Sequence, residues 1–249
     1  MSQLPYRKML KQLHPHPKDA CIQFDEPTHK YTIHGDASYI SVTTFIKPLF
    51  EEFDPDAVIA SMMKSRKWPS SKYFGMSPTD IKDAWKLAGT EASSAGTKLH
   101  ADIEAFYNGE SVVNDSTEFQ YFKAFAAQCK LKPYRAEWIV FDDERKLAGT
   151  IDMVFECADG TLAIYDWKRA KSIEKANAWN KYGKHPSIEH LPDTNYWHYA
   201  LQLNLYKFIL EQNYGKTVSS LVLVRLHPVA ATFECVAVCD LQDEIRSLF

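Results

Sequence analysis

Gly149-Thr-Ile-Asp-Met-Val-Phe-Glu-Cys-Ala-Asp-Gly-Thr-Leu-Ala-Ile-Tyr-Asp-Trp-Lys168 is the stretch on which the reading of this chain turns. Apolar residues run on both sides of Ala158-Asp159-Gly160, as expected of two strands joined by a tight turn. Asp152 and Asp166 are embedded in these strands. Side chains alternate faces, so Asp166 and Lys168 share one. Loop length then decides where the acids go. A two-residue Asp159-Gly160 turn pairs 152 with 167 and sends the carboxylates to opposite faces. A three-residue loop 158–160, with Gly160 left-handed at a bulge, pairs 152 with 166 and brings both acids together; this register is the expected one.

Outward from this hairpin, Ala136–Phe141 reads as a preceding strand, with Asp142–Lys146 turning into Leu147–Glu156, and Thr161–Lys168 follows. Glu91–Tyr107 has Leu99, Ile103 and Phe106 at helical spacing and stops at Asn108-Gly109. Ser116–Cys129 carries the stripe Phe119, Phe122, Ala126 and Cys129. Asn195–Asn213 is a long helix closed by Gly215, and Ser219–Leu226 and Phe233–Val238 are further strands. The order implies an α/β (α+β) fold, a central sheet with helices against it. Upstream, residues 1–20 read as a flexible basic arm. Cys21–Asp25 and Lys30–Ile33 read as two short strands around Glu26-Pro27-Thr28-His29. Ser41, Thr43 or Thr44 caps a short helix that Pro48 interrupts. Residues 54–91 are helical but broken at Trp68-Pro69-Ser70-Ser71 and Ser77-Pro78, with Pro78 and Asp80 starting a new helix. No Gly/Ser-rich linker divides the chain, so 1–90 reads as an elaboration on a 91–249 core within one compact domain. Within it, 54–95 is a candidate lid.

The 249 residues carry 29 Lys+Arg against 32 Asp+Glu, a net charge of −3, with 45% apolar and 24% charged residues. These values exclude a disordered, collagen-like or repeat-array chain. No apolar run approaches the roughly 18 residues of a membrane span. The first twenty residues lack the apolar segment of a secretory signal. Cysteines 21, 129, 157, 235 and 239 are odd in number and scattered, so no disulfide framework is expected. The expectation is a soluble, reduced, intracellular protein of cytoplasm or nucleus, phage- and virus-encoded chains included, rather than of the mitochondrial matrix. Slight acidity excludes nucleic-acid binding through a uniformly positive surface and leaves local patches. Residues 168–184 hold six basic groups and one acid, with Trp179 and Tyr182 among them. Residues 64–72 hold four basic groups around Trp68 and no acid. Cations interleaved with rings suit a single-strand channel; a solvated helix face with rings in the core is the alternative.

Two carboxylates on one face raise each other's pKa unless a cation lies between them. Lys168 offsets this in part; Mg²⁺ or Mn²⁺ does so more fully. An isolated Asp-x-Lys is otherwise a surface ion pair worth about 0–1 kcal/mol. Elsewhere, Gly96-Thr-Lys-Leu-His100 lies on a helix with Glu104 one turn on, Gly96 allowing close approach to the sheet. Glu137 sits in the strand before the hairpin, and Gln202 and Tyr206 are at i, i+4. Taken singly, these are a core histidine, an edge carboxylate and helix-surface hydrogen bonders.

In order, G-x-x-x-H, E, G-x-x-D, D-x-K and Q-x-x-x-Y over residues 96–206 resemble the RecB-type branch of the PD-(D/E)XK nuclease superfamily. Phe24–Tyr31 and Ile40–Thr44 are similar to the entry of its small stand-alone exonucleases, which include the mitochondrial genome maintenance, phage and viral, and CRISPR-associated RecB-like enzymes. The resemblance implies a restriction-endonuclease-like core and a Mg²⁺- or Mn²⁺-dependent DNA exonuclease acting on single-stranded ends in replication, repair or recombination. A histidine in the ligand shell keeps Mn²⁺ as plausible as Mg²⁺. It implies that His100, Asp152, Asp166 and the Trp167 carbonyl hold the metal. Lys168 would stabilise charge on the phosphate, and Glu137 would bear on this metal or a second one. Gln202, Tyr206 and Glu104 would support the site, with Arg169, Lys171, Lys67 and Trp68 on the DNA. Relatives that carry an iron–sulfur cluster use one upstream and three downstream cysteines; only Cys235 and Cys239 lie downstream here, so no cluster is expected. A structure-specific endonuclease or nickase, and an idle nucleic-acid-binding protein, are the competing readings. Replication or recombination proteins are the expected partners.

Overall fold

The computed structural model describes residues 9–25, 28 and 30–249. The hairpin is built as its loop chemistry requires. β5 (Leu147–Glu156) and β6 (Leu162–Lys168) run antiparallel, Met153 opposite Tyr165 and Glu156 opposite Leu162. Cys157 donates to the Thr161 carbonyl at 2.8 Å, and Gly160 occupies φ +82°, a conformation that side chains disfavour. The three-residue loop is therefore present, and the ladder continued by one step sets Asp152 opposite Asp166.

β4 (Lys132–Asp142) lies antiparallel along β5, and β3 (Ile40–Ser41) pairs parallel with Leu147–Ala148 at its start. β7 (Val218–Arg225) is parallel to β6, and β8 (Glu234–Ala237) is antiparallel to β7. The sheet is thus mixed, in the order β3–β5–β6–β7–β8 with β4 on β5. A parallel neighbour needs a crossover, which α6 (Asn195–Asn213) supplies. Val154, Ile164, Leu221 and Leu223 join Leu201, Leu205 and Ile209 of α6 in one core. Met153, Phe155, Trp167 and Val224 join Leu99, Ile103, Phe119, Phe122 and Phe125 in another. The latter helical residues belong to α4 (Pro78–Tyr107) and α5 (Thr117–Gln128). Burial on both faces is why β5 and β6 read as apolar runs and not as clean alternation.

Several expected boundaries move. β4 begins at Lys132, four residues early, because a bulge between Pro133 and Arg135 absorbs the proline without ending the strand. Pro78 does start a helix, Ser77 and Asp80 bonding each other's backbone N–H at 3.2 Å, but that helix continues unbroken through Gly89 to Tyr107. The described part of the N-terminal arm is anchored, by buried Leu10 and by Asp19, and so is not free along its length. Arg135 grips Asp19 through Nη1 and Nη2 at 2.9 and 3.2 Å, and Trp138 Nε1 donates to Asp19 at 3.2 Å. Residues 1–8 of the expected arm, and Glu26, Pro27 and His29 of the expected turn, lie outside the described residues. The strands around that turn, β1 (Ile22–Asp25) and β2 (Lys30–Ile33), pair antiparallel. Ser41 caps α2 (Val42–Ile46), accepting from Thr44 N–H at 3.0 Å.

Two compact units emerge: the described residues up to Glu51 with Leu99–Phe249, and Glu52–Lys98. The expected division at residue 90 differs from this, because residues up to 51 share the core of the sheet. The 52–98 unit contains α3 (Pro55–Lys64), capped by Asp54, and the first part of α4; Trp85 packs near Phe53 and Tyr73. The C-terminal helix α7 (Gln242–Ser247) is tied to α6, Gln242 Nε2 donating to Asn204 O at 2.9 Å. No described helix is long and apolar enough to cross a membrane.

Candidate functional site

The site lies where β5 and β6 part. Their ladder ends at Met153 and Tyr165, and the next amide, Trp167 N–H, donates not to a strand carbonyl but to Asp152 Oδ2 at 2.8 Å. A side chain thus takes over from the ladder and holds the fork open. On the other edge of β5, the β4 register sets Glu137 opposite Asp152. Glu137 has φ +43°, an unusual conformation for a residue with a Cβ, and strain of this kind costs about 1–3 kcal/mol.

His100 reaches the fork from α4. Its Nε2 is 3.0 Å from the Trp167 carbonyl, which can only accept, so Nε2 carries the hydrogen. That leaves Nδ1 facing Asp152 Oδ2 at 3.5 Å and Glu137 Oε1 at 3.8 Å. A lone pair facing two carboxylates is repelled unless a cation intervenes, either a second proton or a metal. In the chain alone the proton serves. Burial would depress the imidazole, but Asp152, then Glu137 and Asp166, outweigh it and lift its pKa to about 9. Burial holds Asp152 and Glu137 above the usual carboxylate range despite the imidazole beside them. One donor atom from each of His100, Glu137 and Asp152 lies within 4.8 Å of the others, a mixed nitrogen–oxygen set that fits Mg²⁺ or Mn²⁺.

Two expected ligands are placed differently. The Trp167 carbonyl is the acceptor that fixes the histidine tautomer. Asp166 is not part of the three-residue cluster and pairs with Lys168, Nζ standing 2.7 Å from Oδ2. Lys168 thus serves Oδ2, and Asp166 Oδ1 is buried with no hydrogen-bond partner among the described residues. Burial and then the Asp152 charge raise Asp166 to about 6. Lys168 is itself raised, since Asp166 and Asp152 outweigh its burial. It is an ammonium, and what it offers is a fixed positive charge rather than a base.

Lys168 is held from three sides. Besides Asp166, it donates to Gln202 Oε1 at 3.3 Å and lies 4.4 Å from the centre of the Tyr199 ring. Gln202 Nε2 in turn donates to Tyr206 OH at 3.2 Å. Tyr206 packs against bare backbone: a Cβ on Gly149 would lie 2.7 Å from Tyr206 Cε1 and 3.0 Å from its hydroxyl. Tyr206 is buried and cannot swing clear. Gly149→Ala is therefore expected to cost about 1–3 kcal/mol by overpacking. That lowers Tm by about 2–4 °C per kcal/mol in a chain of this size. Thermal melts check it, and a Gly149→Ala/Tyr206→Leu pair should recover part of the loss if the ring is the cause.

Of the other expected residues, Glu104 stays beside the site and the rest are scattered. Glu104 lines a cavity of about 190 Å³ with Glu137 and Arg135. Arg169 turns away from open solvent to Glu118 of α5, Nε to Oε1 at 2.6 Å, because that buried carboxylate needs a cation. Lys171 is exposed and its carbonyl accepts from Arg225. Lys67 and Trp68 belong to the 52–98 unit, where Trp68 meets Phe74 edge-on at 5.9 Å. Gly96 gives no close approach: a Cβ there meets nothing within 4 Å among the described residues. Two tyrosines escaped the sequence reading. Tyr199 is three residues before Gln202 and so on its helix face, a usable signal. Tyr31 OH bonds Thr150 Oγ1 at 3.2 Å, and only its place in the Phe24–Tyr31 stretch hinted at it.

No protein-family model matches the chain, and no curated protein matches it. A solved structure titled "Crystal structure of SSO0001" is similar over 85% of this chain and 73% of its own, at 12% identity and a TM-score of 0.36, a likeness too loose to carry an argument.

Proposed function

We propose that this protein is a metal-dependent deoxyribonuclease of the RecB-type PD-(D/E)XK branch, an exonuclease hydrolysing phosphodiester bonds at single-stranded DNA ends in replication, repair or recombination. One observation carries the reading: His100 Nδ1, Glu137 and Asp152 converge within 4.8 Å, beside a buried Asp166–Lys168 pair. Nothing structural is gained by gathering three acids and an ammonium at a strand fork, since buried pairs seldom add stability.

His100, Glu137 and Asp152 would hold the ion, with Asp166 as the next carboxylate in the fork. A divalent cation there supplies Lewis acidity toward phosphate and a more acidic water. The chain supplies the rest. The Trp167 carbonyl orients the imidazole, and Asp152 accepts the Trp167 amide, so strand and helix fix each other. Lys168 presents its ammonium to a phosphate oxygen and stabilises the charge that develops on it. Gln202 and Tyr199 keep that ammonium pointed. The basic 168–184 segment draws the phosphate backbone in a sequence-tolerant, salt-sensitive way.

End-labelled single strands of both polarities with Mn²⁺ should release nucleotides, and a chelator should stop the release. A circular single strand should stay intact. Cleavage of the circle would overturn end dependence in favour of an endonuclease, and no release under any of these conditions would overturn the hydrolytic reading.

A further inference from the structure

Residues 169–194, between β6 and α6, form a long connection without regular strands or α-helix, yet it is firmly built. Near its start, Arg225 donates to the Lys171 carbonyl, Asn195 Nδ2 donates to Ser172 O at 2.7 Å, and Trp197 Nε1 donates to Lys175 O at 2.9 Å. Its tip is tied from inside by one side chain. Asn177 Oδ1 accepts from the Trp179 and Lys181 amides at 3.0 and 3.3 Å, while its Nδ2 donates to the Lys181 carbonyl at 2.7 Å. Asn180 takes the left-handed conformation at φ +54° that closes the turn, and Asp193 N–H bonds back to Lys181 O at 2.8 Å.

The product of this construction is a tryptophan held out in water. Trp179 is 79% exposed, an unfavourable place for the largest apolar side chain unless something covers it. Its surroundings identify the cover. Lys171, Lys175 and Lys184 are exposed on the same segment, whose other cations, Lys168, Arg169 and Lys181, pair with Asp166, Glu118 and Glu51. Protein interfaces deplete lysine around their aromatic anchors. A flat ring among ammonium groups suits a polyanion whose units carry π-faces.

We propose that Trp179 is a stacking platform for an unpaired nucleobase of the single strand whose phosphate reaches Lys168, a claim that rests on the nuclease reading. The segment follows Lys168 directly in the chain, so the strand that meets the ammonium can run along it. The Asn177 turn pre-organises the ring, and binding need not order the loop first.

The test is equilibrium binding of a labelled oligothymidylate in chelator-containing buffer, read by fluorescence anisotropy, with an abasic strand of equal length as a second probe. Trp179→Ala is expected to weaken oligothymidylate binding by about 5- to 150-fold, the range of one base–ring stack. It should leave the abasic strand unaffected, and Trp179→Phe should restore most of the loss. Equal oligothymidylate binding by wild type and Trp179→Ala overturns the platform while leaving the nuclease reading standing. An equal loss on the abasic strand overturns stacking. A change in self-association with DNA binding unaltered overturns it in favour of a second copy of the chain on the ring. Failure of the wild type to bind any single strand overturns both proposals.

Discussion

Lys168→Ala is expected to slow nucleotide release from labelled single strands by about 10²–10³-fold, the usual loss when one preorganised donor aimed at a developing anion is removed. The ammonium is placed by Asp166 at 2.7 Å, Gln202 at 3.3 Å and the Tyr199 ring at 4.4 Å, so no nearby side chain can substitute for it. Asp166→Asn should be at least as damaging. It keeps the shape but removes a carboxylate from the fork and loosens the ammonium. Asp166→Asn should nonetheless keep its melting temperature, whereas Lys168→Ala, which leaves buried carboxylates without their ammonium, should fold at a lower one. Asp166 and Asp152 are buried like charges that repel, and neutralising one relieves the other. Activity assays paired with thermal melts check this; wild-type turnover in either variant would remove the site from the chemistry. A site that loses function while keeping its melting temperature is what a preorganised, internally opposed charge cluster predicts.

Asp19→Ala is expected to have the largest effect on stability. Arg135 is 3% exposed and its two-pronged partner is Asp19, so truncating the acid strands a buried guanidinium; the His14 carbonyl, at 2.8 Å from Nη1, satisfies only part of it. Removing one partner of a buried pair costs about 3–5 kcal/mol, and the remaining bond places this case near 3. The corresponding fall in Tm is about 6–12 °C. The pH dependence has a definite sign. Burial would raise the Asp19 carboxyl, but the Arg135 bonds, the His16 amide and Trp138 outweigh it and hold the group below its ordinary value. The stabilisation is therefore complete above the unfolded value of about 3.9 and is lost as pH falls below it through the folded one. Melts of wild type and Asp19→Ala should differ most at neutral pH and converge below about pH 4. A gap that persists unchanged into acid would show that packing, not the ion pair, is responsible.

Much of the site could be read locally. The loop Ala158-Asp159-Gly160 implies its own length through Gly160, and length alone places Asp152 opposite Asp166. The spacing of Gln202 and Tyr206 gives their shared helix face, and the apolar run 195–213 gives α6 to the residue. What could not be read is who takes whom. Arg169 looks like a free cation until the buried Glu118 is found beside it. Asp166 reads as the twin of Asp152, and only the fold shows that Lys168 pairs with it. The arm before Cys21 looks solvated until Asp19 meets Arg135, 116 residues away.

By itself, then, the chain's sequence determined the strands of its central hairpin, their register and the acids and amine carried there, because alternation, turn length and left-handed glycine act between residues close in the chain. Only the tertiary structure decided that Glu137, in a strained backbone, joins His100 and Asp152, and that the Trp167 carbonyl fixes the imidazole. Those outcomes depend on burial and on competition among charges from distant segments, and a buried charge takes whichever partner packing brings within reach.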